Sequence, residues 1–330
     1  MKLLPLPGTS LSVAPLCLGT ANLGETIPEQ EGFALLDRYV ALGGNFLDTA
    51  RIYSDWLPGE KRRSERVLGD WLKVRGRRDQ LIVATKGAHA FIESLDTPRT
   101  SAAEIRDDLE GSLRTLRTDV IDLYWLHRDD PARPVEHFVD LLNAFVGEGK
   151  IRAFGGSNWS PIRLHAANDY ARKSGQRGFS ASQPLWCLGS AAAVPPKDPG
   201  LVKFDAAAHR FHTETGCAVI PYTSQAKGFY TKLALPPEKR PANLAQHDFH
   251  TPPCLAAAAV ATDIARARGV NQSAIILAYL WSRRFPVIPI IGCRTVTQLE
   301  DSVAALPVRL TAAELSALEA ASESGLPDAV

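Results

Sequence analysis

Four residues have types and a spacing that suit proton transfer to a carbonyl group. Asp48, Lys86 and His127 each end a short apolar run, and they are separated by 38 (86 − 48) and 41 (127 − 86) residues. Tyr53 follows shortly after Asp48. A phenol with a pKa of about 10 is a weak acid at neutral pH, and a neighbouring ammonium lowers that pKa. We expect Asp48 to keep Lys86 charged, Tyr53 to donate the proton, and neutral His127 to hydrogen-bond the substrate oxygen.

A repeated strand–helix unit would position these side chains. Eight short β-prone runs occur at 14–19, 44–47, 81–84, 120–126, 153–154, 179–182, 218–221 and 287–290. Amphipathic helical patterns occur at 31–42, 106–116, 134–146 and 255–268. This alternation predicts an α/β fold, a (β/α)8 barrel in which parallel strands are ringed by helices. Asp48, Lys86 and His127 would then end three adjacent strands at the catalytic face.

Other parts of the pattern fit one barrel domain over residues 1–330. Residues 2–13 contain Pro7-Gly8 between apolar stretches and predict a hairpin that closes the bottom of the barrel. Two irregular stretches, 190–201 and 235–254, would lie on the C-terminal face, where barrel enzymes bind substrate. A doubly wound open sheet would usually carry GxGxxG after its first strand, and residues 18–24 lack that spacing. A glycosidase would need two strand-end carboxylates, and only Asp48 qualifies.

Composition excludes several classes of partner. The 330 residues are 45% hydrophobic and 22% charged, with a net charge of +1, so we expect neither nucleic acid nor an anionic membrane as a partner. The five cysteines are scattered without a CxxC and are expected to be reduced, mostly buried thiols. The start MKLLPLPG does not suit a signal peptide, and no apolar run approaches ~18 residues, so a cytoplasmic location is expected. The sequence leaves a homo-oligomer open.

Several fragments resemble the aldo-keto reductase family. They are residues 18–24 (LGTANLG), 44–53 (GNFLDTARIY), 84–86 (ATK), 121–127 (IDLYWLH) and 149–158 (GKIRAFGGSN), within a similarity that runs from about residue 10 to residue 307. The catalytic tetrad of that family falls on Asp48, Tyr53, Lys86 and His127 without substitution. The resemblance implies an NADPH-dependent barrel enzyme that reduces an aldehyde or ketone. The competing hypothesis is a structural Asp48–Lys86 ion pair beside a polar pocket.

The same resemblance implies a nicotinamide cofactor site. Ser157, Asn158 and Gln183 match residues that hold the carboxamide, and Tyr222 matches the aromatic on which the ring stacks. Arg294 with Gln298 favours NADPH, because a guanidinium pairs well with a phosphate dianion; Arg294 could also be an ordinary surface cation. Gln298 and Ser302 depart from the arginine and asparagine common at those positions. The remaining cofactor candidates are Gly19, Thr20, Ala21, Thr223, Ser224, Gln225, Gly228, Ile291, Gly292, Thr295 and Asp301.

Substrate recognition is less clearly specified. The candidates are Ala21, Asn22, Trp56, Trp125, Arg128, Trp159 and Trp186. The tryptophans could stack on a sugar face or an aromatic ring, or belong to the core. Pro184, Trp186 and Cys187 place the local pocket outside the usual family pattern. Arg128 could bind an anionic group, but Asp129 and Asp130 beside it favour a surface ion pair. A small polar carbonyl compound, such as a sugar-derived aldehyde, is the preferred small-molecule substrate.

Three further hypotheses concern the histidines, the direction of reaction and the absence of turnover. His209/His212 and His247/His250 have a spacing that can hold a metal ion, but no other ligands accompany them, so solvated histidines and no metal are expected. A cofactor-sensing regulatory subunit is the alternative to a catalytic reductase, and the intact tetrad favours catalysis. Operation in the alcohol-oxidising direction would use the same residues.

Overall fold

Eight parallel strands form one sheet in the computed structural model, which describes residues 1–326. Consecutive strands are neighbours, and the last strand pairs with the first, so the order follows the chain around the sheet. A two-stranded antiparallel hairpin of β1 (Leu4–Pro5) and β2 (Ser12–Val13) precedes them. The sheet strands are β3 (Cys17–Gly19), β4 (Phe46–Asp48), β5 (Ile82–Gly87), β6 (Ile121–Leu126), β7 (Ile151–Ser157), β8 (Ala181–Gln183), β9 (Ala218–Val219) and β10 (Ile290–Ile291).

Backbone hydrogen bonds between β9 and the segment leading into β10 close the sheet. Val219 N donates to Pro286 O at 2.9 Å, and Ile288 N donates back to Val219 O at 2.9 Å. Ile290 N continues the ladder to Pro221 O at 3.0 Å. No sheet edge is left at this seam, which is the defining property of a barrel. The predicted (β/α)8 barrel is therefore confirmed over the doubly wound alternative.

Helices connect the strands on the outside of the barrel. Within residues 1–326 they are α1 (Glu29–Ala41), α2 (Arg63–Arg75), α3 (Ala102–Leu116), α4 (Val135–Gly147), α5 (Pro161–Lys173), α6 (Ala206–Thr215), α7 (Phe229–Leu233), α8 (Pro252–Arg268), α9 (Gln272–Trp281), α10 (Val296–Ala304) and α11 (Ala312–Ser322). Helix α3 starts four residues (106 − 102) before its predicted start, because Ser101 and Glu104 form a capping box. None of these helices has the length and apolar content needed to span a membrane.

Two apolar layers hold the barrel together. Side chains of alternating strand positions fill its interior, while a larger cluster packs between the outer strand faces and the helices. Leu6, Leu11 and Val13 of the N-terminal hairpin join the interior cluster. The hairpin therefore closes the bottom of the barrel, as its Pro-Gly turn predicted. All five cysteines are buried and unpaired.

Strand β7 is longer than the predicted 153–154 run, because Gly155 and Gly156 belong to the strand rather than ending it. Gly155 lies opposite Trp125 of β6 in the ladder. A Cβ at Gly155 would come within 2.3 Å of the Trp125 ring and 2.7 Å of the Ala181 carbonyl oxygen. Glycine is required here because the indole occupies the space that any side chain would fill.

This close approach predicts opposite effects for two glycine substitutions. Gly155→Ala should lower the free energy of unfolding by about 1–3 kcal/mol, because the barrel interior cannot expand without strain. Gly147→Ala, at the end of α4 with nothing within 4 Å of the added Cβ, should raise it by about 0.5–1 kcal/mol. Chemical denaturation monitored by circular dichroism measures both. A Gly155→Ala protein as stable as the wild type would contradict the packing described here.

Candidate active site

The ammonium of Lys86 is the centre of the polar group at the C-terminal mouth of the barrel. Lys86 lies on β5, and its side chain is completely buried. Its three N–H groups have three acceptors: the carboxylate of Asp48, the carbonyl oxygen of Thr49 at 2.7 Å, and the hydroxyl of Tyr53 at 3.0 Å. A lysine has three donors and no acceptor, so this side chain is fully satisfied. The pairing of Asp48 with Lys86 expected from the sequence is present.

Neighbouring charge keeps Lys86 protonated. Burial acts to lower the pKa of Lys86, but Asp48 and Tyr53 more than offset it, so the pKa lies above its usual value of 10.5. The second carboxylate oxygen of Asp48 accepts a hydrogen bond from Gln183 Nε2 at 3.0 Å. Both oxygens of Asp48 are thus engaged, and its geometry is held by strands β5 and β8.

Tyr53 differs from the expectation in one respect. Burial raises the pKa of Tyr53 above 10, and the charge of Lys86 opposes that rise without cancelling it. The sequence predicted a net lowering, which is wrong for this structure because the loss of solvation at the barrel mouth outweighs the nearby ammonium. Since Lys86 donates to the Tyr53 oxygen, the phenolic O–H remains a donor for another group.

His127 completes the group as a neutral imidazole. Its ring lies edge-on to Tyr53, with 6.0 Å between ring centroids. Burial, followed by the charges of His89 and Arg128, holds the pKa of His127 well below 6.5. Its Nδ1 atom is buried without a hydrogen-bond partner. Because unpaired buried N–H groups are rarer than unpaired acceptors, we place the proton on Nε2, which makes that atom a hydrogen-bond donor.

A buried ion cluster behind the mouth was not found from the sequence. The carboxylate of Asp108 on α3 pairs with Arg51 at 3.0 Å and with Arg99 at 3.0 Å. It also accepts a hydrogen bond from Ala88 N at 3.0 Å. This cluster ties the loops after β4 and β5 to α3, and so fixes the loops that carry Tyr53 and follow Lys86. The sequence contains Arg51, Arg99 and two adjacent aspartates in α3, Asp107 and Asp108, but it does not show that Asp108 pairs with these two arginines.

Several candidate cofactor residues lie at, or shortly after, the C-terminal ends of strands that form this mouth. Gly19 and Ile291 end neighbouring strands, and a Cβ at Gly19 would come within 2.7 Å of the Ile290 side chain. Ser224 donates its hydroxyl hydrogen to Ile290 O, which joins the loop after β9 to β10. Gln225 Nε2 donates to Ser302 Oγ at 3.2 Å. Thr20 is buried and its hydroxyl donates to Asp48 O at 3.1 Å, so its side chain supports the mouth from below.

The three residues matched to the carboxamide site lie at the C-terminal ends of β7 and β8, with Asn158 directly after β7. Asn158 has a φ of +59°, and its side-chain oxygen accepts hydrogen bonds from Tyr222 Oη and from Val202 N. Ser157 Oγ donates to Gln183 O at 3.2 Å. The partly exposed Tyr222 side chain therefore lies beside the amide of Asn158. Polar groups next to a partly exposed aromatic side chain suit a ring that carries an amide.

Arg294 is the clearest candidate for binding an added phosphate. It is exposed just before α10, and its guanidinium makes no ion pair with any residue of 1–326. Its backbone N–H donates to Gln298 Oε1 at 2.8 Å, while Thr295 caps the helix. Gly292 beside it has open space where a Cβ would be. An unpaired guanidinium at a helix N-terminus fits a phosphate group. The other candidates here, Thr295, Gln298 and Asp301, are exposed.

The structure does not bring three of the four candidate tryptophans to an open pocket. Trp125 is 0% exposed and fills the barrel interior. Trp159 packs against Phe138 and Phe179 between the sheet and the helices, and Trp186 stacks on Phe204 with 4.1 Å between ring centroids. Each of these three tryptophans is buried because its side chain has a large apolar surface. Trp56 is 45% exposed and donates to Glu25 at 3.2 Å; Ala21, Asn22, Thr223 and Gly228 are partly exposed in neighbouring loops.

The partner of Arg128 also differs from the expectation. Arg128 pairs with Asp198 at 2.7 Å, on the irregular stretch after β8, rather than with the adjacent Asp129, which pairs with Arg163 at 2.9 Å. Neighbouring residues in a loop point apart, so sequence proximity was a poor guide. Because Asp198 already neutralises Arg128, the structure does not present Arg128 as a free cation for an anionic substrate.

The expectation that the paired histidines are solvated is wrong for His212, which is buried between two hydrogen-bond partners. Its Nε2 lies 2.8 Å from Ser182 Oγ, and its Nδ1 lies 2.8 Å from Cys217 O. Burial lowers the pKa of His212 to about 4. His247 packs against Phe229 with 5.1 Å between ring centroids. Within residues 1–326 no group of three or more His, Cys, Asp or Glu side chains could hold a metal ion.

Comparison with known proteins agrees with the geometry. The profile of the Aldo/keto reductase family matches residues 15–323, and the chain belongs to this family. It is 33% identical to the norsolorinic acid reductase stcV of Emericella nidulans, over 96% of this chain and 79% of that protein. It is 29% identical to the aldo-keto reductase ausK of Aspergillus calidoustus, over 97% and 81%. An aryl-alcohol dehydrogenase [NADP(+)] of Phanerodontia chrysosporium is 31% identical over 54% of this chain and 50% of its own length.

Family membership fixes the class of reaction. The protein is an oxidoreductase that acts on carbonyl or alcohol groups of small molecules, as expected from the sequence. The family generally uses NAD(P)H.

Proposed function

We propose that the protein reduces the carbonyl group of a small polar aldehyde or ketone, with NADPH as the hydride donor and Tyr53 as the proton donor. The observation that carries this proposal is the hydrogen bond of 3.0 Å from Lys86 Nζ to Tyr53 Oη, made by an ammonium that also pairs with Asp48. Lys86 can stabilise the phenolate that forms as the proton leaves. Asp48 keeps Lys86 charged while this happens.

His127 and Tyr53 would bind the substrate oxygen from two sides. Nε2–H of neutral His127 and the phenolic O–H of Tyr53 are both hydrogen-bond donors, so a carbonyl oxygen between them would accept from each. Developing negative charge on that oxygen strengthens both hydrogen bonds, which favours the transition state over the ground state. A protonated His127 would compete as an acid, and the lowered pKa of His127 prevents this.

NADPH, when bound, would supply the hydride for the carbonyl carbon. In this chain Ser157, Asn158, Gln183 and Tyr222 would hold its nicotinamide end beside Tyr53, and Arg294 would pair with the phosphate that distinguishes NADPH from NADH. The unpaired state of the Arg294 guanidinium supports this assignment, because a cation already paired with a carboxylate would gain less from a phosphate.

A sugar-derived aldehyde remains the preferred substrate class within this proposal. The neutralised Arg128–Asp198 pair disfavours an anionic substrate, while His89 beside His127 favours one with polar groups. A sensor subunit without turnover is the second candidate; the fully satisfied Lys86, aimed at a tyrosine with a free O–H, favours catalysis instead.

Substitution of Tyr53 separates catalysis from cofactor binding. In Tyr53→Phe the turnover should fall by about 10²- to 10⁴-fold, because the proton donor is lost. The dissociation constant for NADPH should change by less than about threefold, because the phenol acts on the substrate oxygen. NADPH consumption at 340 nm with a panel of aldehydes, ketones and oxidised sugars measures the first quantity, and fluorescence titration measures the second.

Tyr170→Phe, which removes an exposed phenol that contacts Asp140 on the barrel surface, is the matched control and should behave as wild type. Equal losses of binding and turnover in Tyr53→Phe would count against its role as proton donor. No turnover by the wild type, with tight NADPH binding, would favour the sensor alternative.

Substitution of Arg294 tests the cofactor preference. Arg294→Ala should weaken NADPH binding by about 10- to 100-fold, since a hydrogen bond to a charged group contributes about 1.5–3 kcal/mol. NADH binding should change little, because NADH lacks the phosphate. Arg210→Ala, an exposed arginine on α6, serves as the control. An unchanged ratio of the two dissociation constants would remove Arg294 from the phosphate site.

A further inference from the structure

His89 adjoins the catalytic mouth, although the tetrad does not include it. It follows Lys86 by three positions (89 − 86), just beyond the end of β5. Ala88 turns the chain there with a φ of +60°, and its N–H is held by Asp108. The His89 ring lies 4.8 Å from the ring of His127, between centroids. The position of this imidazole is therefore fixed by the buried ion cluster behind the mouth.

Local hydrogen bonding defines which nitrogen of His89 can accept. Nδ1 lies 2.7 Å from the carbonyl oxygen of Ala90. A carbonyl oxygen only accepts, so Nδ1 carries the proton and, in the neutral ring, Nε2 has a free lone pair. Burial, followed by the charge of Arg128, lowers the pKa of His89 and keeps the ring neutral. Nε2 has no hydrogen-bond partner within residues 1–326, and His89 as a whole residue is 9% exposed.

The two adjoining imidazoles thus have opposite roles. His127 presents a donor, and His89 presents an acceptor one ring away. Carbonyl oxygen needs a donor, whereas a hydroxyl group beside it can donate to an acceptor. The charges of Arg128 and Asp198 act on the His89 ring in opposite directions, and the ion pair that they form has no net charge. The surroundings of His89 therefore suit a neutral hydroxyl group better than an anion.

We propose that Nε2 of His89 accepts a hydrogen bond from a substrate hydroxyl group on a carbon close to the carbonyl, which makes His89 a specificity-determining residue. The substrate class is a hydroxylated carbonyl compound, either an aliphatic α-hydroxy aldehyde or an aromatic aldehyde with an ortho hydroxyl. This inference rests on the proposed function and names its substrate class. A substrate without the hydroxyl leaves this acceptor unpaired when it displaces solvent.

Two matched substrate pairs test the proposal, one for each source of the hydroxyl group. Glyceraldehyde is compared with propanal, and salicylaldehyde with benzaldehyde, by kcat/KM from NADPH oxidation at 340 nm. The wild type should prefer the hydroxylated member of at least one pair. In His89→Phe, which keeps an aromatic ring against His127 but has no acceptor, that preference should fall by about 3- to 10-fold, the range expected for one hydrogen bond. His89→Gln, with an amide oxygen as acceptor, should restore part of it.

His165→Gln, an exposed histidine on α5, is the control and should leave both ratios unchanged. A merely structural role for His89 would lower kcat/KM for both members of a pair equally, and unchanged ratios in His89→Phe would overturn the proposal. The pair that responds identifies the source as aliphatic or aromatic. If the wild type turns over none of the four compounds but does reduce other members of the wider panel, this inference fails and the proposed function stands. No turnover with any member of that panel would overturn both.

Discussion

A single buried ammonium sets the design of the catalytic mouth. Moving a charged amine out of water costs several kcal/mol, so Lys86 can be buried only where acceptors meet all three of its N–H groups. Asp48, Thr49 and Tyr53 provide them, and all three come from β4 and the loop that follows it. The requirement to satisfy Lys86 therefore also brings the phenol of Tyr53 to the point where the proposed reaction needs a proton donor. The hydrogen bonds that stabilise the buried charge of Lys86 are thus the same ones that place Tyr53 for the proposed proton transfer.

The barrel supplies the rigidity that this arrangement needs. Asp48, Lys86 and His127 lie on, or directly after, three adjacent strands, whose spacing is fixed by backbone hydrogen bonds. The loops between them would otherwise be free to move. Asp108 holds these loops from behind through Arg51, Arg99 and the backbone of Ala88. The same anchor positions His89, so substrate recognition and catalysis share one support.

The site residues that the sequence predicts best are those whose chemical type coincides with the end of a periodic apolar run. Strand ends carrying Asp48, Lys86 and His127 could be located because each follows an apolar run of the expected length. Tyr53 could be added because it lies in the loop just after Asp48, and the family resemblance agreed with that choice. Side-chain partners could not be predicted in the same way. Arg128 pairs with Asp198 and not with an adjacent aspartate, because the conformation of the loops determines which carboxylate lies within reach. The tryptophans illustrate the same limit: Trp125 and Trp186 are near the mouth in sequence terms, yet packing directs them inward. The direction in which the pKa of Tyr53 is shifted could not be predicted either, because it depends on how deeply the phenol is buried.

The measurement that tests the central role of the buried ammonium most directly is the turnover number of a charge-neutral pair variant. In Asp48→Asn/Lys86→Met no buried charge is left unpaired, so the fold should survive, and thermal unfolding with NADPH titration checks this. The account predicts that carbonyl reduction, followed at 340 nm, falls by about 10²-fold or more while NADPH is still bound, because Tyr53 loses the cation that stabilises its phenolate. Turnover within about threefold of the wild type in a folded, cofactor-binding variant would contradict it.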